Sequence, residues 1–125
     1  MIKITIEKTN TGFSAGADRY PAYTAGDSLE EIKSNMVESL NLYFDYVKKP
    51  VVHLSDLKFT LDIHSFFSFY KVINAKALSE RIGMNQSLLA QYIKGNKKPS
   101  AIQTRRILKG VQQVGKELME MQFLL

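Results

Sequence analysis

Gln86, Ser87 and Gln91 are three polar side chains at helical spacing, and a run of cations follows them. A glutamine amide can donate to and accept from the edge of adenine, and a serine hydroxyl can do either for any base. Lys94, Lys97 and Lys98 come next, where ammonium groups can meet phosphate, and Arg105, Arg106 and Lys109 can extend such contacts. The chemistry on offer is recognition of a polyanion by hydrogen bonds to base edges and ion pairs to its backbone.

The surrounding residues supply elements that could hold those groups in place. Asn74 can cap a helix containing Leu78 and Ile82. Gly83 then gives a tight turn with positive φ, and Met84 plugs the core beneath it. Asn85 can cap the next helix, with Leu89, Tyr92 and Ile93 facing inward and Gly95 at its end. The result is a helix, a turn, a second helix and a basic exit running to Pro99. Such a unit can place one helix in the major groove of DNA. An earlier helix fits Ile63, Phe66, Phe67 and Tyr70. A final helix starts at Ser100, with Gln103 completing a capping box. Ile102, Leu108, Val111, Val114 and Leu118 can pack it on the core. The apolar tail from Leu118 to Leu125 either docks on its own chain or forms a subunit contact.

This half resembles the lambda-repressor-like (Cro/cI) helix-turn-helix family through Leu78, Ser79, Ile82, Gly83, Met84, Leu89, Tyr92 and the exit Gly95-Asn-Lys-Lys-Pro-Ser100. Ser79 stands where alanine is commonest. Ala75 stands where many members carry a phosphate-binding glutamine, and Lys76 is the candidate replacement. The resemblance implies base contacts from Gln86, Ser87 and Gln91, and phosphate contacts from Lys76, Lys94, Lys97, Lys98 and Arg105. It also implies a homo-oligomer, dimer or tetramer, because repressors of this type pair two units across half-sites about 34 Å apart.

The first half has a different grammar. Ile2, Ile4 and Ile6 alternate with polar residues, which predicts a strand with one buried face. Thr9–Gly12 is a turn, and Phe13, Ala15 and Ala17 give the second strand of a hairpin. Pro21 interrupts, and Tyr23 and Thr24 offer a short third strand. Ser28 and Glu31 can form a capping box. Leu29, Ile32, Met36, Leu40, Phe44 and Val47 then form an apolar stripe about five turns long. Leu57, Phe59 and Leu61 predict a fourth strand, giving the order β-β-β-α-β.

Gly12-Phe-Ser-Ala15, Tyr20-Pro21, Thr24-Ala-Gly-Asp-Ser-Leu-Glu-Glu31 and Asn35 resemble the opening pattern of the HicB antitoxin family. Tyr20-Pro-Ala-Tyr23 departs from that family's usual Leu-Pro-Gly-Cys loop. The resemblance implies a partially degraded, ribonuclease H-like fold that binds a small basic RNA-cleaving toxin. A metal nuclease needs carboxylates converging on divalent metal, one of them on the first strand. Glu7 alone stands near there, and Asp18, Asp27, Glu30 and Glu31 suit turns and a helix N-terminus.

Charge divides along the same line. Residues 1–62 hold seven Lys/Arg and nine Asp/Glu, giving 7 − 9 = −2. Residues 63–125 hold ten and three, giving 10 − 3 = +7. The acidic half, with Glu30, Glu31, Glu38 and Asp45 on its helix as candidate toxin contacts, suits a basic partner. The basic half suits a polyanion. In 125 residues there is no cysteine, so disulfides and thiolate metal sites are excluded. The charged N-terminus reads as neither a signal peptide nor a membrane span, and a cytoplasmic setting is expected. His53 and His64 have no ligand-spaced neighbours, no phosphate loop or nucleophile motif occurs, and neither a cofactor nor an enzyme is expected.

The expected architecture is α+β. A β-β-β-α-β ribonuclease H-like (HicB) domain over 1–62 precedes an all-α helix-turn-helix domain over 63–125. The expected function is that of an antitoxin neutralising a HicA-like mRNA interferase and repressing its own operon through operator DNA. The alternative is a free-standing repressor whose first domain serves dimerisation or sensing.

Overall fold

A computed structural model describes residues 1–125. The protein is α+β, with a four-stranded mixed sheet and five α-helices in two compact units, Met1–Phe69 and Tyr70–Leu125.

In the first unit, strands β1 (Ile2–Lys8), β2 (Phe13–Ala17), β3 (Tyr23–Gly26) and β4 (Leu57–Leu61) lie in the order β3-β2-β1-β4. β1 and β2 are antiparallel, as are β2 and β3, while β4 joins β1 in parallel with Ile4 opposite Phe59. A parallel partner needs a crossover, and helix α1 (Leu29–Tyr46) provides it. Ile32, Met36, Leu40 and Phe44 recur every four residues, and all are buried with Ile4, Ile6, Ala15 and Ala17. The stripe narrows at its ends, since Leu29 is exposed and Val47 is the C-cap.

Side chains of α1 also hold the surrounding chain. Asn35 Nδ2 donates to the Ala25 carbonyl at 3.1 Å and Ser39 Oγ to that of Tyr23 at 3.4 Å. These bonds occupy carbonyls on an edge strand that would otherwise invite another chain. Asn41 receives the Val52 N–H at 2.7 Å and donates to the Val52 carbonyl at 2.9 Å, so the return segment is clamped before β4. Ser28 Oγ accepts from the Glu31 N–H as expected. The reciprocal half of the box differs: the Glu31 carboxylate accepts from the Asp27 N–H at 2.8 Å, one residue before the cap.

The first unit runs beyond the expected boundary at 62. Helix α2 (Ile63–Phe69), expected to open the second domain, packs against β1 and buries Ile63 and Phe67. Lys8 helps fasten it. Its ammonium donates to the carbonyls of Thr9 and Gly12 and lies 4.5 Å from the Phe69 ring centroid.

The second unit holds helices α3 (Ala75–Ile82), α4 (Gln86–Lys94) and α5 (Ala101–Met119), then a 3₁₀ turn over Glu120–Leu124. Asn74, Asn85 and Ser100 each cap a helix by accepting the N–H three residues on. Leu78, Met84, Leu89, Tyr92 and Ile107 are buried. On α5 the inward residues are Thr104, Ile107 and Gly110, with Leu108, Val111 and Val114 half-buried. Ile102 and Leu118, expected in this core, are 70% and 65% exposed. The expectation followed apolar identity. The face actually used centres on Ile107 and includes a threonine and a glycine that such a reading passes over.

Gly110 marks where α5 crosses close to α3. A Cβ there would stand 2.3 Å from Ile82 Cγ2 and 3.3 Å from Leu78 Cδ1. Cγ2 sits on the branched Cβ of Ile82, whose χ1 is held to one strongly preferred rotamer in a helix, so it yields only at a cost. Gly115, on the same helix, has nothing within 4 Å of its Cβ position. The two glycines should therefore respond oppositely to alanine. Gly115→Ala is expected to raise stability by about 0.8–1 kcal/mol through helix propensity. Gly110→Ala is expected to lower it by roughly 1 kcal/mol, because an overpacking cost of about 1–3 kcal/mol exceeds that gain. Urea unfolding of both variants checks the pair, and stabilisation by Gly110→Ala would refute the close crossing.

Candidate nucleic-acid interface

The α3–α4 turn fixes where α4 presents its side chains. Gly83 sits at φ 68°, a left-handed conformation that costs an L side chain roughly 1–2 kcal/mol. Its N–H bonds to the Glu80 carbonyl at 3.4 Å, and the Met84 N–H to that of Ser79 at 2.9 Å. Arg106 completes the seal: one guanidinium nitrogen reaches the Ile82 and Gly83 carbonyls at 3.1 and 3.4 Å, and the other meets Gln103 Oε1 at 2.9 Å. Arg106, considered for backbone contacts, is exposed but already bonded within the unit. The expected capping box is only half made: the Gln103 N–H bonds to Ser100, while its side chain turns to Arg106.

Buried Leu89 and Tyr92 define the inner face of α4. At 100° per residue, Gln86, Ser87, Ala90, Gln91 and Lys94 span an arc of about 140° on the opposite side. Gln86, Ser87 and Lys94 are exposed, whereas Gln91 is half-buried at the flank. The Gln91 carbonyl also accepts the N–H groups of Asn96 and Lys97, at 3.0 and 3.3 Å, as the chain leaves through Gly95 at φ 82°. Thus Gln86 and Ser87 stand at the accessible start of the helix, and Gln91 is less open.

The cations are arranged around this helix in sequence. Lys97 and Lys98 lie exposed on the exit, Lys76 is exposed in the first turn of α3, and Arg105 is exposed on α5. None of them is in an ion pair, because the unit's salt bridge joins Arg81 to Glu117. The Arg81 guanidinium, with help from the Gln113 amide, holds the Glu117 carboxyl below its ordinary value of 4.5. Ser79, where alanine would also fit, is buried and donates to the Lys76 carbonyl at 2.6 Å.

On the first unit, Glu30, Glu31, Glu38 and Asp45 are all exposed along α1. Glu31 is partly committed to the Asp27 N–H, and Glu30 borders a shallow hollow with Lys33, Ser34, Val37 and Leu54. Sequence reasoning missed two neighbours, Leu42 and Tyr46, which are 70% and 83% exposed. Their signal was present: both are apolar and fall off the buried four-residue stripe. His53 pairs only with Asp56, at 3.8 Å, and no group of three or more metal-ligating side chains comes together. No helix is long and apolar enough to cross a membrane.

Comparison with known protein families returns no match for this chain, and comparison with curated proteins returns none.

Lys97 and Lys98 are exposed on the exit of α4, and on a bound duplex their ammonium groups would neutralise phosphates whatever the base sequence. Replacing both with alanine should weaken binding to every duplex alike and flatten the dependence of log affinity on log salt by roughly 2 units, through lost counterion release. Anisotropy titrations across a salt series test this. An unchanged slope would assign both lysines to solvent.

Proposed function

We propose that this chain is a DNA-binding antitoxin of the HicB kind, which represses its own operon and neutralises a basic, HicA-like RNA-cleaving toxin. The observation that carries the DNA half is the start of α4. Gln86 and Ser87 are exposed there, opposite a core of Leu89 and Tyr92 and ahead of a lysine-bearing exit. A helix entering the major groove leads with its N-terminal residues, and this geometry supports α3–α4 acting as a Cro/cI-like helix-turn-helix. The sign of charge agrees: residues 70–125 hold the same ten cations and three carboxylates as 63–125, again 10 − 3 = +7.

The toxin half rests on the first unit. Three antiparallel strands, a crossover helix and a fourth strand parallel to the first are compatible with a small ribonuclease H-like core. Its net charge of −2 and the exposed carboxylates of α1 favour a basic partner. Leu42 and Tyr46 would give that partner apolar anchors between the charges, since tyrosine is enriched where interfaces concentrate their energy. A homo-oligomer belongs to the same reading, because one recognition helix makes few base contacts and half-sites pair two. The exposed apolar residues Leu118, Met119, Met121, Phe123 and Leu124 are the candidate subunit contact.

The two tasks should separate by mutation. The double variant Gln86→Ala, Ser87→Ala is expected to lose preference for the operator, at about 1–3 kcal/mol per base contact. It should still co-purify with the toxin encoded beside it and neutralise that toxin. The wild-type titration should saturate with two protomers per operator. Loss of neutralisation in the folded double variant would contradict the division of labour, and saturation by a single protomer would contradict pairing.

A further inference from the structure

Helix α5 carries a second basic surface that base recognition does not use. Thr104, Ile107 and Gly110 set its buried face. Opposite them, Arg105, Lys109, Gln112 and Lys116 recur at steps of four, three and four residues, and all four are exposed. On helical geometry they occupy an arc of about 60° and a length of about 16 Å. Glu117, the nearest carboxylate in sequence, is turned away and held by Arg81. The other carboxylate on this stretch, Glu120, lies beyond the end of α5. The three cations of the ridge therefore have no ion-pair partner in the protein. Like charges stacked along one helix face repel, and an anionic partner would relieve that repulsion.

The geometry points to the α5 ridge as a sequence-independent contact for the phosphodiester backbone of duplex DNA, additional to the α4 face. The inference deepens the proposed DNA-binding role and rests on it for the choice of polyanion. Arginine and lysine would take phosphate oxygens, and the Gln112 amide between them can donate to the same strand, as side-chain amides do in backbone contacts. A lipid surface fits less well. Interfacial helices need a run of apolar side chains beside their cations. The exposed apolar residues of α5 that border this arc, Ile102 and Met119, stand beyond its two ends, and between Arg105 and Lys116 the arc holds only Lys109 and Gln112. The apolar side of α5 along this length is turned into the unit, with Ile107 fully buried. Contacts of this kind carry no base information. They raise affinity for all DNA and hold the protein on the duplex between operators.

The test uses the full chain and the triple variant Arg105→Gln, Lys109→Gln, Lys116→Gln, in which glutamine keeps the helix propensity. Binding to a duplex of random sequence is measured across a salt series, and binding to mixed phosphatidylserine and phosphatidylcholine vesicles is measured in parallel. With three phosphates neutralised, the wild-type slope should exceed that of the variant by about 2.7 units. The wild type's advantage should then shrink roughly 40-fold between 50 and 200 mM salt, by the same relation. Circular dichroism establishes that the variant is folded. Equal slopes would overturn the proposal. So would vesicle binding by the wild type that matches its DNA binding and is lost in the variant, since the ridge would then serve lipid. Failure of the operator reading is distinguishable: it would abolish the sequence preference that depends on Gln86 and Ser87, while the random-duplex slope still decides the ridge.

Discussion

The left-handed turn at Gly83 is the constraint on which the second unit depends. Only Gly83, Met84 and Asn85 separate the end of α3 from the start of α4, so φ 68° at Gly83 sets the direction of the second helix. Three independent contacts hold it: Met84 is buried beneath the turn, the Ser79 carbonyl takes the Met84 N–H, and Arg106 of α5 seals the carbonyls at the end of α3. The close crossing at Gly110 brings α5 near enough to α3 for that seal. Move the turn, and the arc of α4 that carries Gln86, Ser87 and Lys94 is aimed elsewhere relative to α3 and α5. Helical periodicity sets which residues share that arc, and the turn sets where the arc points.

The first unit solves a different problem. A parallel β1–β4 pair requires a long crossover, and a four-stranded sheet has two edges to manage. α1 serves both needs. Its four-residue stripe fills the core, and its polar flank binds Ala25, Tyr23 and Val52 through Asn35, Ser39 and Asn41. Those side chains fasten the backbone on either side of the helix. Among the residues α1 leaves facing solvent, the side chains of Glu38, Leu42, Asp45 and Tyr46 take no part in the hydrogen bonds and ion pairs of the unit, and are available to a partner.

Much of this was legible from residue order. Alternation in Ile2–Ile6, the stripe of α1, and the punctuation by Asn74, Gly83, Asn85, Gly95 and Ser100 are local signals, and each element formed where its signal lay. Long-range choices were less legible. Nothing in Ile63–Phe69 states that its apolar face packs on β1, because a helical stripe names no partner. The inner face of α5 was misread for a related reason. Ile102 and Leu118 are apolar but lie at the ends of the helix, beyond the crossing at Gly110, whereas Thr104 and Gly110 are selected by fit. At the candidate interface, exposure of Gln86 and Ser87 followed from periodicity. The employment of Arg106 and the flanking position of Gln91 depended on tertiary contacts that spacing does not encode.

The central claim is that the face of α4 reads base sequence. Its most direct measurement is the ratio of affinities of the unmodified full chain for two duplexes of equal length at one salt concentration. One duplex is the region upstream of its own coding sequence, and the other is the same composition scrambled. Equal length and salt cancel the phosphate contribution, so the ratio reports base recognition alone. Specific binders typically exceed their non-specific binding by about a thousandfold or more, and a ratio of that order is the expected result. Equal affinity for the two duplexes would contradict operator recognition and leave the basic unit as a non-specific polyanion binder.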